Sequence, residues 1–408
     1  MEENQLNYMI DAIQSVKSLE TEDKIEDNIE VENNKDINLT VDSRYKYIIF
    51  DREDLLSMIN LSTPIVLNKS EHVVYNSITF VPQPEYKTIT MVATNELSLL
   101  RYKSELIGEV SQMSSSVFSI PLVTLQKIVR LMGNRVLFYI TEDSLCVRLL
   151  DGDLKLDLRV PNTDRLKLPG KVTGKLAELS LDNFGSIVSA TLPIMNAEIK
   201  GDTRKISFTG EKAYYQSPFY YIESAIKTPS LVLKARDAEV ISKLYSIKRY
   251  RGKTLQLFKI EAYVDRIKMI VDNIEYLFIS GNASQSNLML TQLERIMKEP
   301  EAEVEYDRLS RLVNLSVNLP NSTGIITLEF SDIDLRVTLS SNRGNSNFIL
   351  PIEKKSHSLF RKPVSVKAEP LRRLLSAFNN PDKVSIAFTD YSIVIEKNGV
   401  KAVLMNLT

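Results

Sequence analysis

One order of elements, strand, helix, then three strands, recurs six times along this 408-residue chain, and that recurrence constrains the fold more than any single motif. In the copy at 363–407, Val364 and Val366 alternate as a strand and a short amphipathic helix spans about 370–378. Period-two runs follow through Val384, Ile386 and Phe388, through Ile393 and Ile395, and through Val400, Ala402 and Leu404. The first copy has a strand at Tyr47 and Ile49, a helix over 51–61 ended by Pro64, and strands over 77–81, 88–94 and 97–103.

The copies superpose on their helix cores. Leu55, Met58 and Ile59 correspond to Phe184, Ile187 and Val188 and to Leu309, Leu312 and Val313, each set preceded by an acid, Glu53, Asp182 or Asp307. In the alternate copies, Leu125, Ile128 and Leu131 correspond to Ala238, Ile241 and Leu244 and to Leu371, Leu374 and Ala377. Apolar i, i+3 spacings align by chance, but the fixed order of elements at each recurrence does not. A half-unit buries one helix face and cannot close a core alone, so halves should pair. The expected fold class is α+β: three tandem domains, each a doubled strand-helix-three-strand unit, with helices on the inner face and sheets outside. The expected limits are 1–45 for an acidic, partly disordered N-terminal arm, then 46–165, 175–295 and 300–408, with a polar linker at 161–174. Three such domains form an arc, and unpaired edge strands would let two arcs close into a ring.

Net charge is −1, yet 1–45 carries twelve acids against four bases, leaving 47 bases and 40 acids in the rest. A basic body with an acidic arm suggests a polyanionic partner for the body, and solvation or regulation for the arm. Four helix windows, 125–135, 240–253, 308–318 and 371–380, hold twelve bases and no acid: Lys127, Arg130, Arg135, Lys243, Lys248, Arg249, Arg251, Lys253, Arg308, Arg311, Arg372 and Arg373. On one face these would suit phosphate backbones independent of sequence. Solvated helix faces also carry bases without any ligand. Val240 replaces the base of its siblings Lys127 and Arg373, and so marks either an exposed partner patch or drift between repeats.

Enzyme chemistry has little to work with. His72 and His357 are the two histidines, without metal-ligand spacing, and both read as surface residues. The acids of "TEDS" and "DGD" at 141–153 read as turn residues, the lone Cys146 as core, and no glycine-rich phosphate loop is present. No cofactor or metal is expected. One cysteine and no run of eighteen apolar residues suggest a cytoplasmic protein without membrane contact.

This plan, with basic helices and a short last strand, resembles the bacterial-type β sliding clamp, the processivity factor of replicative DNA polymerases. "MVATNELSLLRY" (91–102) and "SFTGEKAYYQ" (207–216) resemble its first- and middle-domain strands and turns, and the likeness covers 46–408. The resemblance implies a non-enzymatic homodimeric ring around duplex DNA, nucleoid-associated, opened by a clamp loader and tethering a DNA polymerase. It implies a partner cleft between the middle and last domains, at Thr209, Tyr214, Val240, Val403, Leu404 and Met405. Gly210, Glu211, Lys212, Ala213 and Tyr214 depart from the family's turn, and "AVLMNLT" lacks its proline, as in a divergent phage version. "NQLNYMI" (4–10) loosely resembles the peptides that occupy such clefts. The alternatives are a β-rich structural or assembly protein, or a clamp-like scaffold for transcription.

Overall fold

The computed structural model describes residues 45–67, 70–141, 144–166, 175–178, 181–197, 204–250, 258–263, 265–280, 296–356, 359–378 and 381–405. Within them the six half-units appear in order. The first domain comprises β1 (Tyr47–Asp51), α1 (Arg52–Ser62), β2 (Ser77–Gln83), β3 (Thr88–Asn95) and β4 (Ser98–Glu105), then β5 (Phe118–Pro121), α2 (Leu122–Ile128), β6 (Arg135–Ile140), β7 (Ser144–Leu149) and β8 (Gly152–Asp157). The second has β9 (Lys175–Glu178), α3 (Leu181–Ala197), β10 (Lys205–Phe208), β11 (Lys212–Gln216) and β12 (Tyr220–Ala225), then β13 (Leu231–Lys234), α4 (Ala235–Tyr250), β14 (Phe258–Tyr263), β15 (Arg266–Val271) and β16 (Ile274–Ile279). The third has β17 (Ala302–Glu305), α5 (Tyr306–Asn318), β18 (Ser322–Phe330), β19 (Asp334–Ser341) and β20 (Gly344–Lys354), then β21 (Val364–Lys367), α6 (Ala368–Ser376), β22 (Lys383–Phe388), β23 (Ser392–Lys397) and β24 (Val400–Met405).

The halves interlock by exchanging their entering strands. β1, β9 and β17 pair with β6, β14 and β22 of the following half, while β5, β13 and β21 pair back onto β2, β10 and β18. An entering strand runs straight into its helix at an extended residue, such as Asp51 (ψ 134°), Glu305 (ψ 118°) or Lys367 (ψ 130°), so helix and strand cannot be collinear. Asp51 also accepts the Glu53 amide at 2.9 Å. The helix α6 starts two residues before the expected Pro370, which sits in the first turn where its missing N–H leaves no bond unmade.

Helix cores and strand faces meet in one buried layer that includes Leu55, Met58, Phe184, Ile187, Leu309, Val313, Leu125, Ile241, Leu371 and Leu374. In the first domain Phe80 lies 5.0 Å from Phe118 and 5.2 Å from Phe138, ring centre to ring centre, and truncating one would cost about 3–5 kcal/mol. Cys146 is buried, as expected. Asp153 is not a turn residue. It stands in β8, forms an ion pair with Arg148 Nε (3.1 Å) and accepts from Tyr139 Oη (2.7 Å).

Two seams join neighbouring domains strand to strand: β4 with β16, and β12 with β24. The first seam makes an eight-stranded sheet, and the second lies within a twelve-stranded one. The outer edges of β8 and of β20 from Gly344 to Pro351 have no strand partner among the described residues.

Candidate functional site

Two surfaces carry the expected site residues. On the helix side, Lys127, Arg130 and Arg135 are exposed around α2 and the start of β6, with no acid in ion-pair range among the described residues. Five of the other bases, Lys243, Arg308, Arg311, Arg372 and Arg373, are paired about one turn back along the chain. Arg308 meets Glu305 (2.8 Å), Arg311 meets Asp307 (2.6 Å), and Lys243 meets Glu239 (2.9 Å). Glu369 takes both Arg372 (2.7 Å) and Arg373 (3.0 Å).

These pairings correct the acid-free windows, which began just after the acids. First-turn acids are favoured by the helix dipole, and i, i+3 or i, i+4 spacing then puts them beside the next turn's bases. Arg372, then Arg373, hold the Glu369 carboxyl below its ordinary pKa against a desolvation that raises it. Lys243 is committed further, donating to the Asn60 carbonyl at the end of α1 at 3.0 Å and so tying the first domain to the second. Lys248 and Arg249 fall in the last turns of α4. Arg251, Lys253, His357, residues 1–44 with the "NQLNYMI" stretch, and most of the 161–174 linker lie outside the described residues. His72 is an exposed residue that edge-stacks on Tyr75.

On the opposite side of the sheet, around the β12–β24 seam, is a compact apolar cluster. Tyr214, Tyr221, Ala387, Val394 and Val403 are buried together, with Ile296, Met297 and Met405 packed on them. Strand alternation selects these residues. Tyr215, Ile222, Ile395 and Leu404 face the helices, and their neighbours face outward. Tyr221 opposes Val403 across the seam and stacks on Tyr214 with ring centres 6.2 Å apart.

A polar rim borders the cluster. Lys212 Nζ donates to Glu223 (3.1 Å) and to the Tyr221 hydroxyl (3.2 Å), which itself donates to Glu223 (2.8 Å). Burial, followed by the Glu223 charge, pushes the Tyr221 hydroxyl well above its usual pKa. Lys212 also lies 5.9 Å from the Tyr221 ring centre and 6.0 Å from that of Tyr214.

Of the six residues expected in a cleft, Tyr214, Val403 and Met405 meet here, and Thr209 lies at the adjoining turn, its hydroxyl donating to the Lys212 carbonyl at 3.3 Å. Leu404 points to the helix side. Val240, expected to be exposed, has no accessible surface, because α4 turns that position into its own sheet with Ile241 and Leu244. Ile296 and Met297 were missed, and no local pattern marks them. Tyr221, Ala387 and Val394 follow from alternation once the seam is known.

No protein-family model matches the sequence, and no curated protein is similar to it. Solved structures match over most of the chain. The DNA polymerase III β subunit sliding clamp of Bartonella birtlesii, bound to griselimycin, aligns over 88% of this chain and 99% of its own, with a TM-score of 0.68 and 13% identity. The Helicobacter pylori β clamp bound to a DNA ligase peptide aligns over 89% and 100%, at a TM-score of 0.66 and 12% identity. The Thermotoga maritima DNA polymerase III β subunit gives 88% and 98%, 0.65 and 12%. With six interlocked half-units, two strand-to-strand seams and agreement with these structures over 88–89% of its length, the chain has the fold of the bacterial-type β sliding clamp.

Proposed function

We propose that the chain is a DNA sliding clamp: two copies join head to tail around duplex DNA, hold it without sequence preference, and tether a DNA polymerase. A clamp loader would open the ring, which performs no chemistry itself, on DNA in the cytoplasmic nucleoid. The observation that carries this reading is the agreement of almost the whole described chain with β clamps at TM-scores near 0.65 despite 10–13% identity. The domains in this reading are 46–165, 175–295 and 300–408, with the acidic arm outside them.

DNA contact falls first on Lys127, Arg130 and Arg135, which have no ion-pair partner among the described residues, and then on Arg308, Arg311, Arg372 and Arg373 once phosphate displaces their acids. Exposed ion pairs hold at only about 0.2–1 kcal/mol, so displacement is cheap, although the acid's charge stays behind. Short apolar segments of the polymerase dock at Tyr214, Tyr221, Val403 and Met405, where Ile296 and Met297 now pack. The ligase peptide on the H. pylori β clamp supports a peptide-binding role of this kind.

Protein loaded on closed circular DNA should be retained through a high-salt wash and lost when the circle is cut once. Binding that falls with salt and ignores DNA ends would overturn the ring.

A further inference from the structure

The outer faces of the two seams are built on equivalent positions, but the second is wider than its joint requires. Leu99 opposes Leu277 in the first seam where Tyr221 opposes Val403 in the second. On the preceding strands Val92 and Tyr214 are equivalent, facing Arg101 and Glu223. Past Leu277 the next strands place Lys268 and then Glu261, so the apolar row that starts at Leu99 is two strands wide. Past Val403 they place Val394 and then Ala387, and the row that starts at Tyr221 is four strands wide. The first seam joins its domains without that extra width, so the joint alone does not account for Val394 and Ala387.

Each face is covered by the connection that leads into the next domain. Leu166, at the end of the Thr163–Leu166 turn, packs on the first, and Ile296 and Met297 pack on the second. Residues 297–300 belong to no strand or helix, and side chains hold them in place. Ser392 Oγ donates to the Ile296 carbonyl. Lys298 Nζ donates to Glu301 Oε1 and to the Phe388 carbonyl (3.4 Å), and lies 5.3 Å from the Phe360 ring centre. Glu301 is a fixed acceptor. It is buried, takes the Phe360 amide (2.9 Å) and the Phe388 amide (3.2 Å) on its carboxylate, and donates its own amide to the Ile386 carbonyl at 3.0 Å.

We propose that residues 296–300 form a latched strap that occupies the outer cluster in the free protein, that a partner's apolar segment displaces it, and that Lys298 and Ser392 are the latch. The proposal rests on the docking reading above and supplies its regulation. Beneath Ile296, Met297 and Met405, the side chains of Tyr214, Tyr221, Ala387, Val394 and Val403 keep only 0–6% exposure, so an incoming segment reaches them after the cover has left. Ile296 and Met297 stand in for the adjacent apolar residues of the segment they exclude. Affinity for a partner is then its affinity for the open cluster, reduced by the fraction of molecules that are open.

The test uses full-length protein carrying Met297→Cys. The chain's one cysteine, Cys146, is buried, so a maleimide reads the thiol at 297, and its rate follows the fraction of molecules with the strap open. Lys298→Ala and Ser392→Ala should each speed labelling by about three- to tenfold, the worth of one hydrogen bond, while a cooperative melting curve for each variant checks folding. The probe is a synthetic Gln-Leu-Asn-Tyr-Met-Ile peptide, the sequence at 5–10. Each latch variant should bind it more tightly by the same factor as its labelling rises, because both quantities follow the open fraction. Saturating peptide should speed labelling further. Labelling slowed by the peptide would make Met297 a wall of the docking site, which keeps the docking and overturns the strap. Labelling unmoved by both latch variants overturns the proposal as well. A rate that ignores the peptide overturns both displacement and docking at this cluster, whereas retention on circular DNA is untouched by either failure and is lost only with the clamp itself.

Discussion

The helix α2 of the first domain and the helices α5 and α6 of the third look alike as strings of bases, yet they present different fields. Around α2, Lys127, Arg130 and Arg135 are exposed with no ion-pair partner among the described residues, and no acid occurs in α2 itself. In the third domain four arginines share three acids on the preceding turn, Glu305, Asp307 and Glu369. The difference follows from where each helix begins. β17 and β21 enter α5 and α6 with acids at the favoured first turn, whereas β5 enters α2 through Pro121, Leu122 and Val123. A polyanion responds to the summed field, so equal counts of bases do not make equal surfaces.

The largest expected effect is therefore an asymmetry between domains. Replacing Lys127, Arg130 and Arg135 with alanine should lower the slope of log affinity against log salt by about two to three, close to one per lost phosphate contact. Replacing Arg308, Arg311, Arg372 and Arg373 together should lower it by about half as much. Titrating both variants against a short duplex at several salt concentrations measures this, and equal slopes would end the distinction. A smaller effect runs the other way. Asp307→Asn with Glu369→Gln leaves every base in place and should tighten binding at low salt by about three- to tenfold, fading as salt rises. No gain would mean that the third-domain helices do not face the nucleic acid.

Much of the architecture was legible because it rests on periodicity. Leu55, Phe184, Leu309 and their counterparts were found by spacing alone, and all are buried where the repeat requires except Leu131 and Leu312, which are half-buried. The site was less legible because it depends on what crosses between elements. Val240 and Val403 are both apolar residues in a repeat unit. Val240 is absorbed by its own helix-sheet core, while Val403 reaches the outer cluster only because β24 adds to β12 with Tyr221 opposite it. Ile296 and Met297 belong to neither a strand nor a repeat position, so nothing periodic could find them. The acids failed for a different reason. Their pairing is local and readable at i, i+3 and i, i+4, but a window opened at the first base excludes it.

The smallest expected effect is in pH, and its sign follows from Glu369. Arg372 and Arg373 lower its pKa in the folded chain, so the attraction is fully present above the ordinary glutamate range and is lost as pH falls through the lowered value. Protonating Glu369 thus adds one positive charge to the face of α6, while α2, with no acid to titrate, gains none from its own residues. Stability should fall slightly below the ordinary glutamate pKa, by less than about 1 kcal/mol for this exposed cluster. Over the same interval the third domain's share of the salt slope should rise toward that of the first. Glu369→Gln should remove that pH dependence in the first-domain triple variant, where third-domain contacts remain. A dependence that survives the substitution would assign it to another carboxylate and leave the two domains' difference resting on geometry rather than on paired charge.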